Sequence, residues 1–306
     1  MSKIKISAVI NTWNEEQNLE DCLKSLHFCD EIIVVDMASE DKTVEIAKKY
    51  THKVFEIKNV GFVEPARNLS LSKAVGDWIL VVDADERVPR ELAQKLISIT
   101  KEDSADFVRL PRKNIVFGQW LKYSRWWPDY NVRFFKKGAV TWQNEIHSVP
   151  ITQGSGINLD DQEGLSLEHL HYQTIDQYLL RSIRYADQQA KELIQAGYVF
   201  DAKDLVSKPI GEFLSRFFAG EGYRDGLHGF IMSALQYFSI LLVYIKIWQI
   251  QGNKKITDTA FSSTWVSVFQ DKFKEFRYWY LTFKVNTTKS KAGSVFYKIL
   301  RRSLPK

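Results

Sequence analysis

Hydrophobic positions along the chain come in short runs separated by polar segments with helical spacing. Residues 4–10, Ile-Lys-Ile-Ser-Ala-Val-Ile, read as a first strand. Leu19, Cys22, Leu23 and Leu26 then keep one helical face. Thr12 or Asn14 is placed to cap that helix, and Glu15 and Glu16 suit its positive end. Glu31–Asp36 is a second strand that ends in an acid. Ser39, Asp41 and Thr43 open a further helix, and 54–57 is a short third strand. Glu64–Asn68 opens the helix that leads to Gly76 and a fourth strand. The order β-α-β-α-β-α-β predicts a mainly parallel sheet wrapped by helices. Right-handed crossovers bring its strand ends to one edge, where Thr12, Asn14, Asp36, Arg67, Asp83 and Asp85 are expected to converge.

The fourth strand carries the most specific chemistry. Residues 77–86 read Asp-Trp-Ile-Leu-Val-Val-Asp-Ala-Asp-Glu, a buried run that delivers Asp83 and Asp85 to its carboxyl end. Clustered carboxylates repel one another and are costly to desolvate, so they commonly meet at a metal or a reactive group. Ligands of open α/β sheets bind beyond the carboxyl ends of strands. The pair is therefore a candidate Mg²⁺ or Mn²⁺ site for a diphosphate. A solvated turn with an acid near a helix start accounts for the same residues more blandly.

Val-Ile-Asn-Thr-Trp-Asn-Glu-Glu (9–16), Val-Val-Asp-x-x-Ser-x-Asp-x-Thr (34–43), Ala-Arg-Asn (66–68) and Val-Asp-Ala-Asp-Glu (82–86) together resemble family 2 glycosyltransferases of the GT-A fold. The run is similar to the lipopolysaccharide-core β-glucosyltransferase branch. That family usually has Pro and Tyr where this chain holds Asn11 and Trp13. The resemblance implies a Rossmann-like GT-A domain. It implies that Thr12, Asn14 and Glu15 line the base pocket and that Asp36 holds base or ribose. Arg67 is then expected near base or diphosphate, Asp83 at the ribose and Asp85 on the metal. A divalent ion neutralises the charge growing on a departing nucleotide diphosphate.

The middle of the chain is expected to hold acceptor and base. Phe107–Pro111 reads as a strand, and residues 112–138 are dense in aromatics, including Trp120, Tyr123, Trp126, Trp127 and Tyr130. Such a surface suits sugar stacking as well as it suits an ordinary half-buried patch. Asp129-x-x-x-Arg133 resembles the family's acid-then-arginine motif, which makes Asp129 the first candidate for general base. Trp142-Gln-Asn-Glu145-Ile-His147 competes with it. This branch is expected to have Glu after the His, and here Ser148 stands there. Glu145 is a second candidate acid and shares a strand face with His147, a candidate metal ligand or phosphate contact. His169-Leu-His171 puts two more imidazoles on one face, with a metal ligand as one reading.

Composition sets the outer frame. The 306 residues are 45% hydrophobic with a net charge of +5. Cys22 and Cys29 form neither a disulfide framework nor a zinc pattern, which favours a reducing compartment. No cleavable leader pattern is read in residues 1–10. The expected organisation is a nucleotide-sugar and acceptor domain over 1–172 and a helical appendage over 173–306. Asp176–Ala196 is an amphipathic helix stopped by Gly197, and Lys208-Pro209 reads as a break. Nine aromatics lie between Phe213 and Trp248, and residues 229–245 carry no charge. At about 1.5 Å per residue that stretch is marginal for a bilayer core and suits an interfacial helix, with a spanning or buried helix as the other readings. Residues 272–306 hold ten Lys or Arg and one acid. A basic aromatic tail fits anionic headgroups at a cytoplasmic membrane face. Nucleic acid and plain solvation are rival readings, and nucleic acid is not expected. The resulting expectation is a metal-dependent, inverting transferase, cytoplasmic and peripheral or monotopic at the membrane. It would move a hexose from a sugar nucleotide such as UDP-glucose to a glycolipid or lipid-linked acceptor. A nucleotidyltransferase lacks support because no glycine-rich loop follows the first strand, and a non-catalytic scaffold is the remaining alternative.

Overall fold

A computed structural model describes residues 4–59, 64–142, 149–253, 255 and 258–303. The chain forms two compact units. One reaches to Val116 and resumes over Trp127–His171; the other comprises Phe117–Trp126 and the chain from Tyr172 on.

The first unit begins with β1 (Ile6–Thr12), α1 (Leu19–Ser25), β2 (Glu31–Asp36), α2 (Thr43–Tyr50) and β3 (Val54–Glu56). It continues with α3 (Glu64–Lys73), β4 (Trp78–Asp83), β5 (Glu86–Arg87), α4 (Arg90–Glu102) and β6 (Phe107–Val116). After β7 (Gln119–Trp120), which belongs to the second unit, come β8 (Asp129–Lys136), β9 (Val140–Thr141), β10 (Ile151–Thr152), β11 (Gly156–Asn158) and β12 (Leu167–Tyr172). The main sheet runs β3-β2-β1-β4-β8-β6-β12-β5. Its first four strands are parallel, and β8 joins β4 antiparallel. This is the expected mainly parallel sheet flanked by helices.

Every residue of β1 is buried, because both faces of the sheet are covered. On one face Ala8, Ile10, Val34, Leu80 and Val82 pack with Leu19 and Leu23 of α1 and Leu92 and Leu96 of α4. On the other, Val9, Ile33, Val35, Ile79 and Val81 pack with Ala66, Phe135 and Trp142. The parallel register sets Thr12 beside Asp36 and Asn11 beside Asp83. At the opposite edge of the sheet, Gly76 lies against β1. A Cβ there would stand 2.8 Å from Ser7 N and 2.9 Å from Lys5 O, so only glycine fits.

The first strand starts and ends two residues later than its apolar run predicts. Thr12 completes the ladder with Asp36, and α1 does not begin until Leu19. Neither Thr12 nor Asn14 therefore caps that helix. Asn14 instead takes a left-handed turn conformation, with φ of 53°, which Asn tolerates better than most residues.

In the second unit α5 (Ile175–Gln195) starts on a Thr174–Gln177 capping box and is followed by Gly197 at φ 89°. Next come α6 (Asp204–Leu214), α7 (Gly226–Ile250), α8 (Asp258–Thr287) and α9 (Lys291–Arg302). Pro209 lies inside α6 rather than at a break. Its ring is buried with Val206 and Leu214, and tertiary packing overrides the local penalty. Ala186, Ala190, Phe200, Val243 and Ile247 form the core of this unit. Buried Asp225 accepts the backbone N–H groups of Lys122 (3.1 Å) and Tyr123 (3.0 Å), which fixes the excursion 117–126 to it. Among the described residues one helical stretch, Gly222–Ile250, is long and apolar enough to cross a membrane, with a mean hydropathy of 1.7 over its most apolar window.

Candidate active site at the carboxyl edge of the sheet

The loops after β1 and β2 are laced together. Asp36 is buried, and its carboxylate accepts both the N–H (2.8 Å) and the Oγ–H (2.6 Å) of Ser39. Ser39 Oγ accepts the Asn14 N–H, and Asn14 Oδ1 accepts the Glu40 N–H, each at 2.8 Å. The Glu15 N–H donates to Thr43 Oγ1 and its carboxylate accepts Asn18 Nδ2, again at 2.8 Å. Thr12 is buried, and its hydroxyl has no hydrogen-bond partner among the described residues. Thr12, Asn14 and Asp36 thus meet at one edge, as the strand order predicts.

The acids after β4 are organised by a buried arginine. Arg133, on β8, donates to Asp83 through both Nη1 and Nη2 and to Glu86 Oε1 at 2.9 Å. The Asp83 N–H closes the turn by donating to Glu86 Oε2 at 2.9 Å. Arg67 Nη2 lies 3.9 Å from Asp83, and Arg112 Nη1 lies 3.5 Å from the fully buried Glu86. Burial works to raise the Asp83 pKa, but Arg133, then Arg67 and Arg112, hold its carboxyl well below the usual carboxylate range. Burial pushes Glu86 the other way, upward.

A second chain of contacts leads from Asp129 to Asp85. Arg112 grips Asp129 Oδ2 through Nε (2.9 Å) and Nη2 (2.6 Å), and Asn114 Nδ2 donates to the same oxygen at 3.3 Å. Burial opposes the effect, but Arg112 draws the Asp129 pKa below its ordinary value. With its amide nitrogen turned to Asp129, Asn114 presents Oδ1 to His169 Nδ1 at 2.6 Å. That network assigns the proton to Nδ1 and leaves Nε2, 3.4 Å from Asp85 Oδ2 and 3.2 Å from His171 Nδ1. Asp85 and His169 are both nearly buried.

Among the described residues no group of three His, Cys, Asp or Glu is arranged to hold a metal. Asp85 and His169 are two facing donors, a carboxylate and an imidazole, and their chemistry fits a divalent ion that draws its other ligands from phosphate oxygens and water. Glu145 and His147 lie outside the described residues. Of the aromatics, Trp120 and Tyr123 sit in the second unit with Lys122 and Arg224 over their rings.

Sequence reading alone does not select Glu86, Arg112 or Asn114 as site residues, and it marks Arg133 only through the acid-then-arginine motif, not as the partner of Asp83 and Glu86. Glu86 is visible as the last letter of Asp-x-Asp-Glu. Arg112-x-Asn114 carries a usable signal, polar side chains at alternate positions of an apolar strand.

Residues 7–158 match the family model described as glycosyl transferase family 2. An uncharacterised glycosyltransferase of Rickettsia typhi is 30% identical over 255 residues, covering 79% of this chain and 86% of that protein. The lipopolysaccharide core biosynthesis glycosyltransferase LpsC of Rhizobium meliloti is 26% identical over 256 residues, covering 81% and 93%. Among solved structures, S. aureus TarS 1–349 in complex with UDP superposes with a TM-score of 0.44 at 18% identity, over 83% of this chain and 95% of that one.

Arg133 is expected to be the most costly position in this network. Arg133→Leu leaves Asp83 and Glu86 buried without their shared cation and should lose about 3–5 kcal/mol in chemical denaturation at neutral pH. The Asp83 contribution has a definite sign. A depressed folded-state pKa stabilises above the unfolded value of about 3.9 and is lost as pH falls below it. The gap between native and Arg133→Leu should therefore narrow from pH 7 towards pH 3. An equal gap at both pH values contradicts the assignment.

Proposed function

The chain belongs to glycosyl transferase family 2, and we propose that within it the protein is a metal-dependent, inverting hexosyltransferase. It moves glucose from UDP-glucose to a membrane-linked glycan or lipid acceptor. The observation that carries this reading is the convergence of Asp36, Asp83 and Asp85 at one sheet edge, with Arg67 and Arg133 on the second of them and His169 facing the third. Similarity to LpsC supports an acceptor in lipopolysaccharide core assembly.

In this reading Thr12, Asn14, Glu15 and Asp36 line the nucleoside pocket, and Asp83 with Arg67 positions the ribose and diphosphate. Asp85 and His169 hold the divalent ion, with His147 as a further candidate. The imidazole tilts the preference from Mg²⁺ towards Mn²⁺. When bound, the ion neutralises charge on the departing diphosphate. Asp129 takes the proton of the acceptor hydroxyl, with Glu145 as the competing acid. The Arg112 ion pair makes Asp129 a weak base, so acceptor entry has to loosen that pair before proton transfer.

The second unit supports a membrane-bound acceptor. Outward-facing Val295, Phe296 and Ile299 on α9 are each more than half exposed, and Lys291, Lys298, Arg301 and Arg302 share the helix. Phe269 and Phe273 on α8 are likewise exposed. Apolar stripes beside basic residues suit anionic headgroups.

Incubating the protein with a panel of sugar nucleotides should release UDP slowly from UDP-glucose with Mn²⁺ and not with chelator. Asp85→Ala should abolish the metal dependence of UDP binding while the protein stays folded. Release that ignores chelator, or metal-dependent binding unchanged in Asp85→Ala, contradicts the reading. For the membrane, the full chain should float with vesicles containing anionic lipid. Replacing Phe296 and Ile299 by Ser should reduce that flotation severalfold, and equal flotation would remove the role of α9.

A further inference from the structure

Asn11 presents an unanswered pair of hydrogen-bonding groups on the floor of the site. It is 6% exposed, and neither Oδ1 nor Nδ2 has a partner among the described residues. Buried polar groups are nearly always paired, because leaving them unmade costs stability. An orphaned donor and acceptor on one side chain at a ligand-binding edge is therefore a feature to explain. Strand alternation places Asn11 on the same face as Val9, and β4 places Asp83 on the same face as Ile79 and Val81. The two residues are register partners, so Asn11 leaves the same face of the sheet as Asp83, which Arg133 and Arg67 hold.

We propose that Asn11 is a nucleoside-reading residue, whose carboxamide makes a donor–acceptor pair of hydrogen bonds to the nucleoside half of the donor substrate. The chemistry selects this half. A phosphate oxygen only accepts, so it would answer Nδ2 and leave Oδ1 orphaned. A base edge or the ribose hydroxyls offer donor and acceptor side by side and answer both. Neither amide atom is open to solvent in this structure, so nucleoside entry has to displace the side chains that cover them before both bonds form. Because the contact is to the nucleoside, it does not depend on the metal that Asp85 and His169 hold. The inference rests on the donor-nucleotide reading of this site.

The test separates binding from stability. Asn11→Leu keeps the volume and removes both polar groups. If the amide serves only the fold, the variant changes the thermal midpoint and leaves nucleotide affinity alone. If it reads the nucleoside, the midpoint stays equal or rises, since an apolar replacement removes an unsatisfied buried group. Calorimetric affinity for UDP then falls about tenfold or more, by a similar factor with Mn²⁺ and with chelator. Affinity for uridine, which has no phosphate, falls in parallel. UDP bound as tightly by Asn11→Leu as by the native chain overturns the role. So does a loss confined to the Mn²⁺ condition, which would move the contact to the phosphates. Should Asn11→Leu fail to fold, Asn11→Ala is read by the same comparison. A native chain that binds neither UDP nor uridine overturns the donor reading itself, a result distinct from native binding with an indifferent variant.

Discussion

The candidate site depends on one constraint, that several acidic side chains must be held together at the end of a buried strand. Asp83 and Glu86 are held there by Arg133, which reaches across from the antiparallel strand β8 and is itself almost wholly buried. The energetics of such a cluster are asymmetric. Its assembled form gives little net stability over an apolar core, but removal of one member leaves uncompensated charge. The cluster is thus better understood as a means of presenting anions than as a source of stability. Asp83 is fixed by Arg133 and Arg67 at the edge, while Asp85, between the two tethered acids Asp83 and Glu86, is turned to His169.

The contacts continue beyond those two acids. Arg112 touches both Glu86 and Asp129, and Asn114 touches both Asp129 and His169. The candidate base is therefore connected to the candidate metal ligand His169 through Asn114 and to Glu86 through Arg112, two residues on one face of β6. Asn114 sets the orientation of His169, and Arg112 sets the proton affinity of Asp129. A substitution at either should change the chemistry without touching substrate.

Much of this was legible from local pattern. Apolar runs ending in Asp36 and Asp83, with helices between, imply a parallel sheet whose acids share an edge, and the register bears this out. What could not be read locally are the partners that arrive from far along the chain. Arg133, Arg112, Asn114 and His169 come from three later strands, and no spacing in sequence announces that β8 will lie against β4. The misread details have the same origin. Thr12 looks like a helix cap until the pairing with Asp36 extends the strand through it, and Pro209 looks like a break until burial in the second unit keeps α6 intact. Orphaned Asn11 was legible only as a departure from a family pattern, because an unsatisfied amide has meaning only once its surroundings are known.

The central claim is that this edge binds a sugar nucleotide through a divalent ion held by Asp85 and His169. The most direct measurement is a crystal structure of the full chain grown with UDP and Mn²⁺, with anomalous scattering recorded near the manganese edge. The account predicts one strong anomalous peak within coordination distance of Asp85 Oδ2 and His169 Nε2, with the uridine lying against Asp36 and Asn11. UDP bound with no manganese beside Asp85, or manganese bound away from both residues, would contradict it.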